Sequence, residues 1–265
     1  MSADPDIWPE GVALHALGTV DSTMAEAARL APHLTRPTWV LAERQTAGRG
    51  RRGRAWTDPP GNLAATLVLH PAGQPADVAL YSFVAALAAF DALRDVAGPS
   101  ARLAIKWPND ILLNDGKLVG ILLEATGTPI PGQRPAIAIG FGINLEQAPP
   151  PSVIEPGAQP AVSLAGECGI RITPRDFITY LARAFDRWQA RVTAEGFAPV
   201  REAWLARAAR LGQQVRARLM SGEETGIFET IDPSGALILR RDDGRRVTIA
   251  AADVFFARPA DAVGG

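Results

Sequence analysis

The sequence predicts an α/β protein with a mixed sheet, followed by a small antiparallel β-barrel. Two observations support this fold class. As far as Leu211, apolar runs that suit strands alternate with segments of helical spacing. After Leu211, five short strand-like segments follow one another and are separated by turn signals. We therefore expect a larger domain of residues 1–211 and a barrel domain of residues 212–265.

The composition of the chain limits its partners. Of its 265 residues, 47% are hydrophobic and 21% are charged, which is ordinary for a globular protein. The net charge of −1 provides no general attraction to nucleic acid or to an anionic membrane. Residues 1–10 lack the pattern of a signal peptide, and the apolar run from Val78 to Phe90 is shorter than the roughly 18–20 residues that span a bilayer. We expect neither DNA nor a membrane as a partner.

Cysteine and histidine usage points to a reducing compartment and to no protein-held metal. Cys168 is the single cysteine, so no intrachain disulfide can form. His15, His33 and His70 are far apart and do not have the spacing of metal ligands. We therefore expect a cytoplasmic protein without a metal site of its own.

The first elements are a strand and a short helix. Residues 12–18 suit a strand, and residues 25–31 form an alanine-rich helical segment. Asp21 or Ser22 would cap the start of that helix. Together with Thr23, Ser22 also offers hydroxyl and N–H donors to a ligand at the helix N-terminus.

The chain continues with a predicted strand, residues 39–43, and then with an unusual stretch that we call the Arg-Gly segment, residues 45–56. It contains four arginines and three glycines in seven consecutive residues, Gly48, Arg49, Gly50, Arg51, Arg52, Gly53 and Arg54, and its ends are Gln45 and Trp56. Glycine lets backbone N–H groups approach a ligand, and arginine supplies a planar, permanent cation. We expect a mobile cationic loop that closes over an anion.

The Arg-Gly segment has three other interpretations: a dinucleotide fingerprint, a nucleic-acid patch and a solvated surface loop. Its glycines spell G-x-G-x-x-G, but a dinucleotide fingerprint needs a helix at its end, and residues 56–61 contain two prolines and cannot start one. An arginine-rich run can also bind the phosphates of nucleic acid. A solvated surface loop is the ordinary explanation of a charge run, but it does not account for glycines placed between the arginines.

A second informative region lies between residues 102 and 124. Residues 62–70 and 77–97 precede it as a returning strand and a long helix. Pro108 interrupts a strand-like run and predicts a bend, with the polar residues Lys106, Asn109 and Asp110 in apolar surroundings. Lys117 then lies on an apolar strand close to Gly120, which leaves room for a ligand.

The remaining elements complete the prediction. Residues 136–144 form a strand that ends on two glycines and Asn144, and residues 147–160 form a proline-rich connection. Thr173 starts a helix that runs to about Glu195, and a further helix covers residues 198–210. The five strands of the barrel are predicted at residues 213–219, 225–231, 236–239, 246–249 and 254–256.

Three sequence blocks together resemble the biotin–protein ligases. The first is the Arg-Gly segment. The second has two parts, Lys-Trp-Pro-Asn-Asp at 106–110 and Gly-Lys-Leu-Val-Gly-Ile-Leu-Leu-Glu at 116–124. The third is Gly-Phe-Gly-Ile-Asn at 140–144. The resemblance runs from about Val12 to Phe256. It implies a class II synthetase-like catalytic domain with a C-terminal SH3-like barrel. Only about a dozen residues precede Val12, so we expect the type without an N-terminal DNA-binding domain.

The resemblance also implies the roles of individual residues. The residues expected to bind biotin are Ser22, Thr23, Gln45, Gly48, Arg49, Gly50, Arg51, Lys117 and Gly120. The residues expected to bind ATP and the adenylate are Arg52, Arg54, Trp56, Lys106, Asn109 and Asn144. Lys117, Arg51 and Asp110 are expected to be catalytic, with Asp110 either anchoring Lys117 or holding Mg²⁺ through water. Met24 departs from the family pattern, which has asparagine there.

The implied reaction uses biotin, ATP and Mg²⁺, and it passes through biotinyl-5′-AMP to a lysine of a biotin carboxyl carrier protein. Two alternatives stay open from the sequence: a lipoate–protein ligase of the same superfamily, and a nucleic-acid-binding module made of a basic loop and a barrel. The sequence also leaves a homodimer open.

Overall fold

The computed structural model describes residues 8–71, 75–126, 136–155, 157–220 and 222–256, without the side chains of residues 51, 75 and 76. Seven strands form the larger sheet: β1 (Ala13–Val20), β2 (Thr38–Gln45), β3 (Leu63–Leu69), β4 (Leu103–Lys106), β5 (Asp110–Leu113), β6 (Gly116–Thr126) and β7 (Ala136–Ile143). Their order is β1-β2-β3-β7-β6-β5-β4. The β1–β2 pair is parallel and the other pairs are antiparallel, so the sheet is mixed, as predicted.

Six helices accompany this sheet in the described residues: α1 (Thr23–Leu30), α2 (Pro75–Ala79), α3 (Tyr81–Ala97), α4 (Leu164–Cys168), α5 (Pro174–Glu195) and α6 (Phe197–Leu205). The prediction of one helix over residues 77–97 was wrong. The chain forms α2 and α3, because the N–H of Leu80 bonds the carbonyl of Asp77 in a tighter turn. Within the described part of the chain, no helix is long and apolar enough to cross a membrane.

The end of α6 also differs from the prediction, which continued the helix to residue 210. Beyond Leu205 the backbone makes two tight turns, from the N–H of Arg207 to Trp204 and from that of Ala208 to Leu205, and then pairs with β4. The N–H of Ile105 donates to the carbonyl of Arg207, and the N–H of Ala209 donates to the carbonyl of Ile105, each over 2.8 Å. Pairing with a strand edge therefore ends the helix early, which local propensity cannot predict.

The two faces of the larger sheet have different neighbours. On one face, alternate residues such as Trp39, Leu67 and Phe141 pack with α3 and α5 in the main core. On the other face, Val40 and Val68 pack with α1 in a smaller cluster. The period of two along each strand produces this separation. Beyond the cluster around α1, the second face stays open and carries the cavity described below.

The C-terminal strands are β8 (Gln214–Leu219), β9 (Gly222–Ile231), β10 (Leu237–Arg240), β11 (Arg246–Ile249) and β12 (Asp253–Phe256). The five predicted strands are therefore present, and they form an antiparallel sheet in the order β11-β10-β9-β8-β12. This sheet shares the main core with the larger region: Trp204 and Phe228 have ring centroids 6.3 Å apart, and Nε1 of Trp107 donates to the carbonyl of Gly235. The domain boundary at residues 211 and 212 stays a prediction.

Candidate functional site

A cavity of about 660 Å³ lies on the open face of the larger sheet. Its walls come from the start of α1, from the Arg-Gly segment, from strands β6 and β7, from the connection at residues 149–161 and from β12. Ten of the sequence-predicted site residues line it: Thr23, Gln45, Arg49, Gly50, Arg54, Trp56, Lys106, Asp110, Lys117 and Gly120.

One end of the cavity is polar and neutral. Ser22 is the N-cap of α1, and its Oγ accepts a hydrogen bond from the N–H of Met24. Oε1 of Gln45 accepts from the N–H of Thr23 over 2.9 Å and from Oγ1 of Thr23 over 3.2 Å. Oγ1 of the buried Thr66 donates to Oγ1 of Thr23 over 2.8 Å. The start of α1 and the end of β2 are thus joined by one hydrogen-bonded chain.

The floor of the cavity is made of glycines. Gly120 of β6 is directly opposite Gly142 of β7, and the indole of Trp56 lies on both. A Cβ at position 142 would lie 2.2 Å from Cε2 of Trp56, and one at position 120 would lie 2.7 Å from Cζ3. The side chain of Met24 covers Gly140 in the same way, so the departure from the family pattern places a thioether in the cavity wall.

A lysine–carboxylate pair stands beside this floor. Nζ of Lys117 lies 2.8 Å from Oδ2 of Asp110, and the lysine side chain passes over Gly120. The strand pairing between β5 and β6 shifts register between Ile111 and Leu112, next to this pair. The backbone of Lys117 also bonds Pro160 and Val162. Backbone bonds on both sides therefore fix the position of Lys117.

Three further predicted residues lie deeper in the structure. Lys106 is buried, and its Nζ lies 5.3 Å from the ring centroid of Phe256 and 5.9 Å from that of Phe255. Asn109 donates through Nδ2 to the carbonyl of Ile121, and Asn144 donates to that of Val162. Oδ1 of both asparagines is buried without a hydrogen-bond partner among the described residues. Neither asparagine lines the cavity, although Lys106 does.

The Arg-Gly segment forms a narrow hairpin over the cavity. Arg49 pairs with Ala55, and the N–H of Gly50 bonds the carbonyl of Arg54 over 2.7 Å. Its tip, residues 51–53, is a tight turn in which Arg52 has φ of 56°, in the left-handed region. Gly48 lies outside the cavity lining, where a Cβ would be 2.9 Å from the carbonyl oxygen of Trp56. The side chain of Arg51 lies outside the described part of the structure.

Ion pairs tie this hairpin to the C-terminal sheet. Oδ2 of Asp253, at the start of β12, lies 2.8 Å from Nη1 of Arg52 and 2.9 Å from Nη2 of Arg54. Glu155 and Arg218 extend the same network: Glu155 contacts both Arg54 and Arg218. Arg52 is turned toward Asp253 and does not line the cavity, whereas Arg54 does both.

Sequence reasoning missed Asp253, Glu155 and the buried carboxyl of Asp58. No motif marks the first two, since their positions depend on how β12 and the proline-rich connection pack. Asp58 is partly buried, and its Oδ1 is buried without a hydrogen-bond partner among the described residues. Burial raises the pKa of Asp58 to about 6, and the contacts with Gln45 oppose that rise. The sequence signal that could have indicated Asp58 is its position as a charged residue between Thr57 and two prolines.

In the residues that the structure describes, no group of three or more His, Cys, Asp or Glu side chains could hold a metal ion. The charged groups that line the cavity are four cations, Arg49, Arg54, Lys106 and Lys117, and three carboxylates, Asp110, Glu155 and Asp253. A neutral hydrogen-bonding end and a cationic end in one cavity suit an elongated ligand with a polar head and an anionic tail.

Comparison with known proteins identifies two family models. The Biotin/lipoate A/B protein ligase family matches residues 18–144, and the Biotin protein ligase C terminal domain matches residues 211–257. The chain is 58% identical over 240 residues to the biotin–[acetyl-CoA-carboxylase] ligase of Paracoccus denitrificans, covering 91% of this chain and 99% of that protein. It is 33% identical to the bifunctional ligase/repressor BirA of Bacillus subtilis, covering 82% of this chain and 65% of that protein.

The fold is also found among solved structures. The biotin protein ligase from Aquifex aeolicus in complex with biotin and ATP superposes with a TM-score of 0.75, at 24% identity, covering 91% of this chain and 97% of that one. The biotin protein ligase of Leishmania major in complex with biotin has a TM-score of 0.61 at 25% identity, covering 92% of this chain and 99% of that one. Both likenesses extend over the larger sheet and the C-terminal sheet together.

Proposed function

Because the chain belongs to the biotin–protein ligase family, we propose that it uses ATP to attach biotin to a lysine of a biotin carboxyl carrier domain. The carboxylate of biotin attacks the α-phosphorus of ATP, and the bond from that phosphorus to pyrophosphate breaks. The amine of the acceptor lysine then attacks the acyl carbon of biotinyl-5′-AMP, so that AMP leaves and the amine loses a proton. Neither step requires a nucleophile from this chain, which we place in the cytoplasm.

We assign the head of biotin to the neutral end of the cavity. Thr23 and Gln45 line that end, and Ser22 caps the helix behind it. The glycines Gly48 and Gly50 let the hairpin approach the bound ring closely. The carboxylate of biotin then extends toward Arg49, Arg51, Lys117 and the space above Gly120.

We assign catalysis to electrostatic stabilisation. Negative charge grows on the phosphoryl oxygens as pyrophosphate departs, and cations already fixed in place stabilise it. Lys117 is held by Asp110 at 2.8 Å and by backbone bonds on both sides, with Arg51 as its predicted partner from the hairpin. Arg52 and Arg54 would exchange Asp253 for the phosphates of ATP.

The nucleotide is assigned to the cationic end. Trp56 and Lys106 line it, and the buried Asn109 and Asn144 hold the strands behind it. We propose that Mg²⁺ arrives with ATP as part of the substrate and shields the phosphate charge. This assignment is consistent with the carboxylates of the cavity. Asp110 is already paired with Lys117, and the described residues contain no group of three or more His, Cys, Asp or Glu side chains that could hold a metal ion.

The observation that carries this proposal is the placement of the Thr23–Gln45 chain and of Lys117 in one continuous cavity. The test is exchange of labelled pyrophosphate into ATP. We expect exchange that depends on biotin, and in a second assay transfer of biotin to a carrier domain.

The same assays separate the alternatives. Exchange that depends on lipoate and not on biotin would favour a lipoate ligase, and salt-dependent binding of nucleic acid without exchange would favour a binding module. Either outcome would overturn the proposed function.

A further inference from the structure

The backbone of Lys117 has an unusual neighbour on one side. On the other side it pairs regularly with β5, where Leu112 is its partner. The strand β7 does not reach Lys117, because the pairing of β6 with β7 begins at Val119 opposite Ile143. The end of the proline-rich connection takes that place. We call residues 160–162 the pairing segment, since its middle residue forms a parallel bridge with Lys117.

Backbone hydrogen bonds and one packing contact hold the pairing segment against β6. The N–H of Lys117 donates to the carbonyl of Pro160 over 2.7 Å, and the N–H of Val162 donates to the carbonyl of Lys117 over 3.0 Å. The side chain of Val162 packs on Gly116, where a Cβ would lie 2.2 Å from Cγ1 of the valine. Nδ2 of Asn144 holds the carbonyl of Val162 from behind, over 3.0 Å.

Gly116 provides space and not a special backbone conformation. The turn before it places Asn114 and Asp115 in the left-handed region, with φ of 50° and 66°. The φ of Gly116 lies outside that region, so an alanine could adopt the same backbone. A side chain at this position is excluded only by Val162. Close approach of another segment is a recognised reason for glycine in a strand.

We propose that the contact between Gly116 and Val162 positions Lys117 for the reaction, by letting the pairing segment replace β7 as the partner of β6. This inference rests on the proposed function, in which Lys117 stabilises the charge on the phosphoryl group. Neither Gly116 nor Val162 lines the cavity. Both are positioning residues that act through Lys117 and do not touch the substrate.

The size of the clash shows how much depends on this contact. Besides Cγ1, the Cγ2 and Cβ atoms of Val162 would lie 3.0 Å and 3.2 Å from a Cβ at position 116, so rotation of the stiff valine does not relieve it. To restore an ordinary carbon–carbon separation, the pairing segment or β6 must move by about 1 Å. A misplacement of that size can cost a reaction about 10²-fold in rate.

The first test is steady-state exchange of labelled pyrophosphate with the full chain. We expect Gly116→Ala to lower kcat by about 10–10² fold and to leave the KM for biotin within about twofold, because Thr23 and Gln45 are not displaced. Val162→Ala keeps the backbone bonds and should lower kcat by less than about threefold. The double variant Gly116→Ala/Val162→Ala should recover most of the lost kcat, since only the Cβ of residue 162 remains near, at 3.2 Å.

Val162→Gly gives the same test without a clash, and it decides the question where Gly116→Ala does not fold. It removes the packing contact and loosens the backbone of the pairing segment. We expect kcat about fivefold lower than in the unaltered chain, again with little change in the KM for biotin.

A second readout separates positioning from a purely structural role. In a Lys117→Ala background, Gly116→Ala should change the residual exchange by less than about twofold, because the group that it displaces is gone. Gly226→Ala is the matched control, since a Cβ there would lie 2.8 Å from the carbonyl oxygen of Arg240 in the C-terminal sheet. It should lower the midpoint of thermal unfolding and leave the kcat of the folded protein unchanged.

The outcomes that would overturn the inference differ from those that would overturn the proposed function. If the unaltered chain supports exchange and folded Gly116→Ala or Val162→Gly keeps kcat within about twofold, only the inference fails. Equal losses with and without the side chain of Lys117 would overturn it in the same way. If the unaltered chain shows no exchange that depends on biotin, the proposed function fails and the inference fails with it.

Discussion

The floor of the cavity and the hairpin above it are built in different ways. The floor is fixed by backbone bonds: Lys117 is part of β6, and Gly120 and Gly142 are paired residues of adjacent strands. The hairpin is positioned at its tip by ion pairs from Arg52 and Arg54 to Asp253, about 200 residues later in the chain. Exposed ion pairs contribute about 0–1 kcal/mol each, far less than a strand ladder. The floor is therefore preformed, whereas the position of the hairpin is conditional.

This difference also suggests a division of labour. A group that stabilises charge in the transition state must already be in place, which suits Lys117 on the floor. A group that closes over the substrate must be able to move, and the hairpin contains the glycines and the exchangeable ion pairs for that. Each prediction below tests one side of the comparison.

The largest effect is expected from Lys117→Ala. Removing a fixed cation from the site of charge development should lower pyrophosphate exchange by about 10²–10³ fold. Thermal unfolding should stay near that of the unaltered chain, because the strand backbone is unchanged. Arg102→Ala, which removes an exposed cation directly before β4, is the control. Near-normal exchange in a folded Lys117→Ala protein would show that the cation of the floor does not stabilise the transition state.

Gly142→Ala tests how closely the floor meets the hairpin. A Cβ at this position would lie 2.2 Å from Trp56, so the indole must shift, and the destabilisation by overpacking should be about 1–3 kcal/mol. We expect weaker biotin binding by titration and a lower midpoint of urea unfolding.

Gly18→Ala in β1 is the matched control, since a Cβ there meets nothing within 4 Å. If both alanine variants behaved alike, the packing of Trp56 against the floor would have no part in binding.

Asp253→Asn tests the hairpin side. Without the charge of Asp253, the tip of the hairpin should detach from the C-terminal sheet more often. If the ion pairs lose ~1 kcal/mol, trypsin should cut after Arg52 or Arg54 about fivefold faster. Biotin with ATP should slow cutting in both proteins if the hairpin closes over them.

The control for this experiment is Asp243→Asn, which removes an ion pair with Arg245 in another turn of the C-terminal sheet. Equal cutting rates in all three proteins would mean that Asp253 does not hold the hairpin. Equal rates with and without ligands would argue against closure.

Much of the floor could be predicted from the sequence because its parts are close along the chain. Lys106, Asp110, Lys117 and Gly120 lie within 15 residues on three adjacent strands, so local pattern and motif spacing brought them together. Thr23 and Gln45 were predicted from two other segments of the resemblance, although their hydrogen bond to each other was not.

The rest depended on long-range packing. The contacts of Asp253 with the hairpin require β12 to be placed beside a segment 200 residues earlier, and no pattern in Asp-Val-Phe-Phe indicates that. The prediction that Arg52 faces the nucleotide could not anticipate its carboxylate partner. The early end of α6 has the same origin, since pairing with β4 replaced helical bonds there.

The smallest predicted effect concerns Asp58, which lies where the hairpin joins the body of the protein. Burial raises its pKa from 3.8 to about 6, so below pH about 4 the carboxyl is neutral in both the folded and the unfolded chain. As the pH rises from about 4 to about 6, the unfolded chain loses this proton first, and the contribution of Asp58 to the free energy of unfolding falls. Above pH about 6 the loss is complete and constant.

Asp58→Asn removes this titration. The free energy of unfolding of the variant minus that of the unaltered chain, from urea titrations, should therefore increase between pH 4 and pH 6 and then level off. Asp21→Asn is the contrasting control: the hydrogen bond from Arg29 holds the pKa of Asp21 below its usual value, so its difference should stay nearly constant over this range. A flat difference for Asp58→Asn would show that this carboxyl titrates as an ordinary surface acid, and the junction of hairpin and floor would then carry no buried charge.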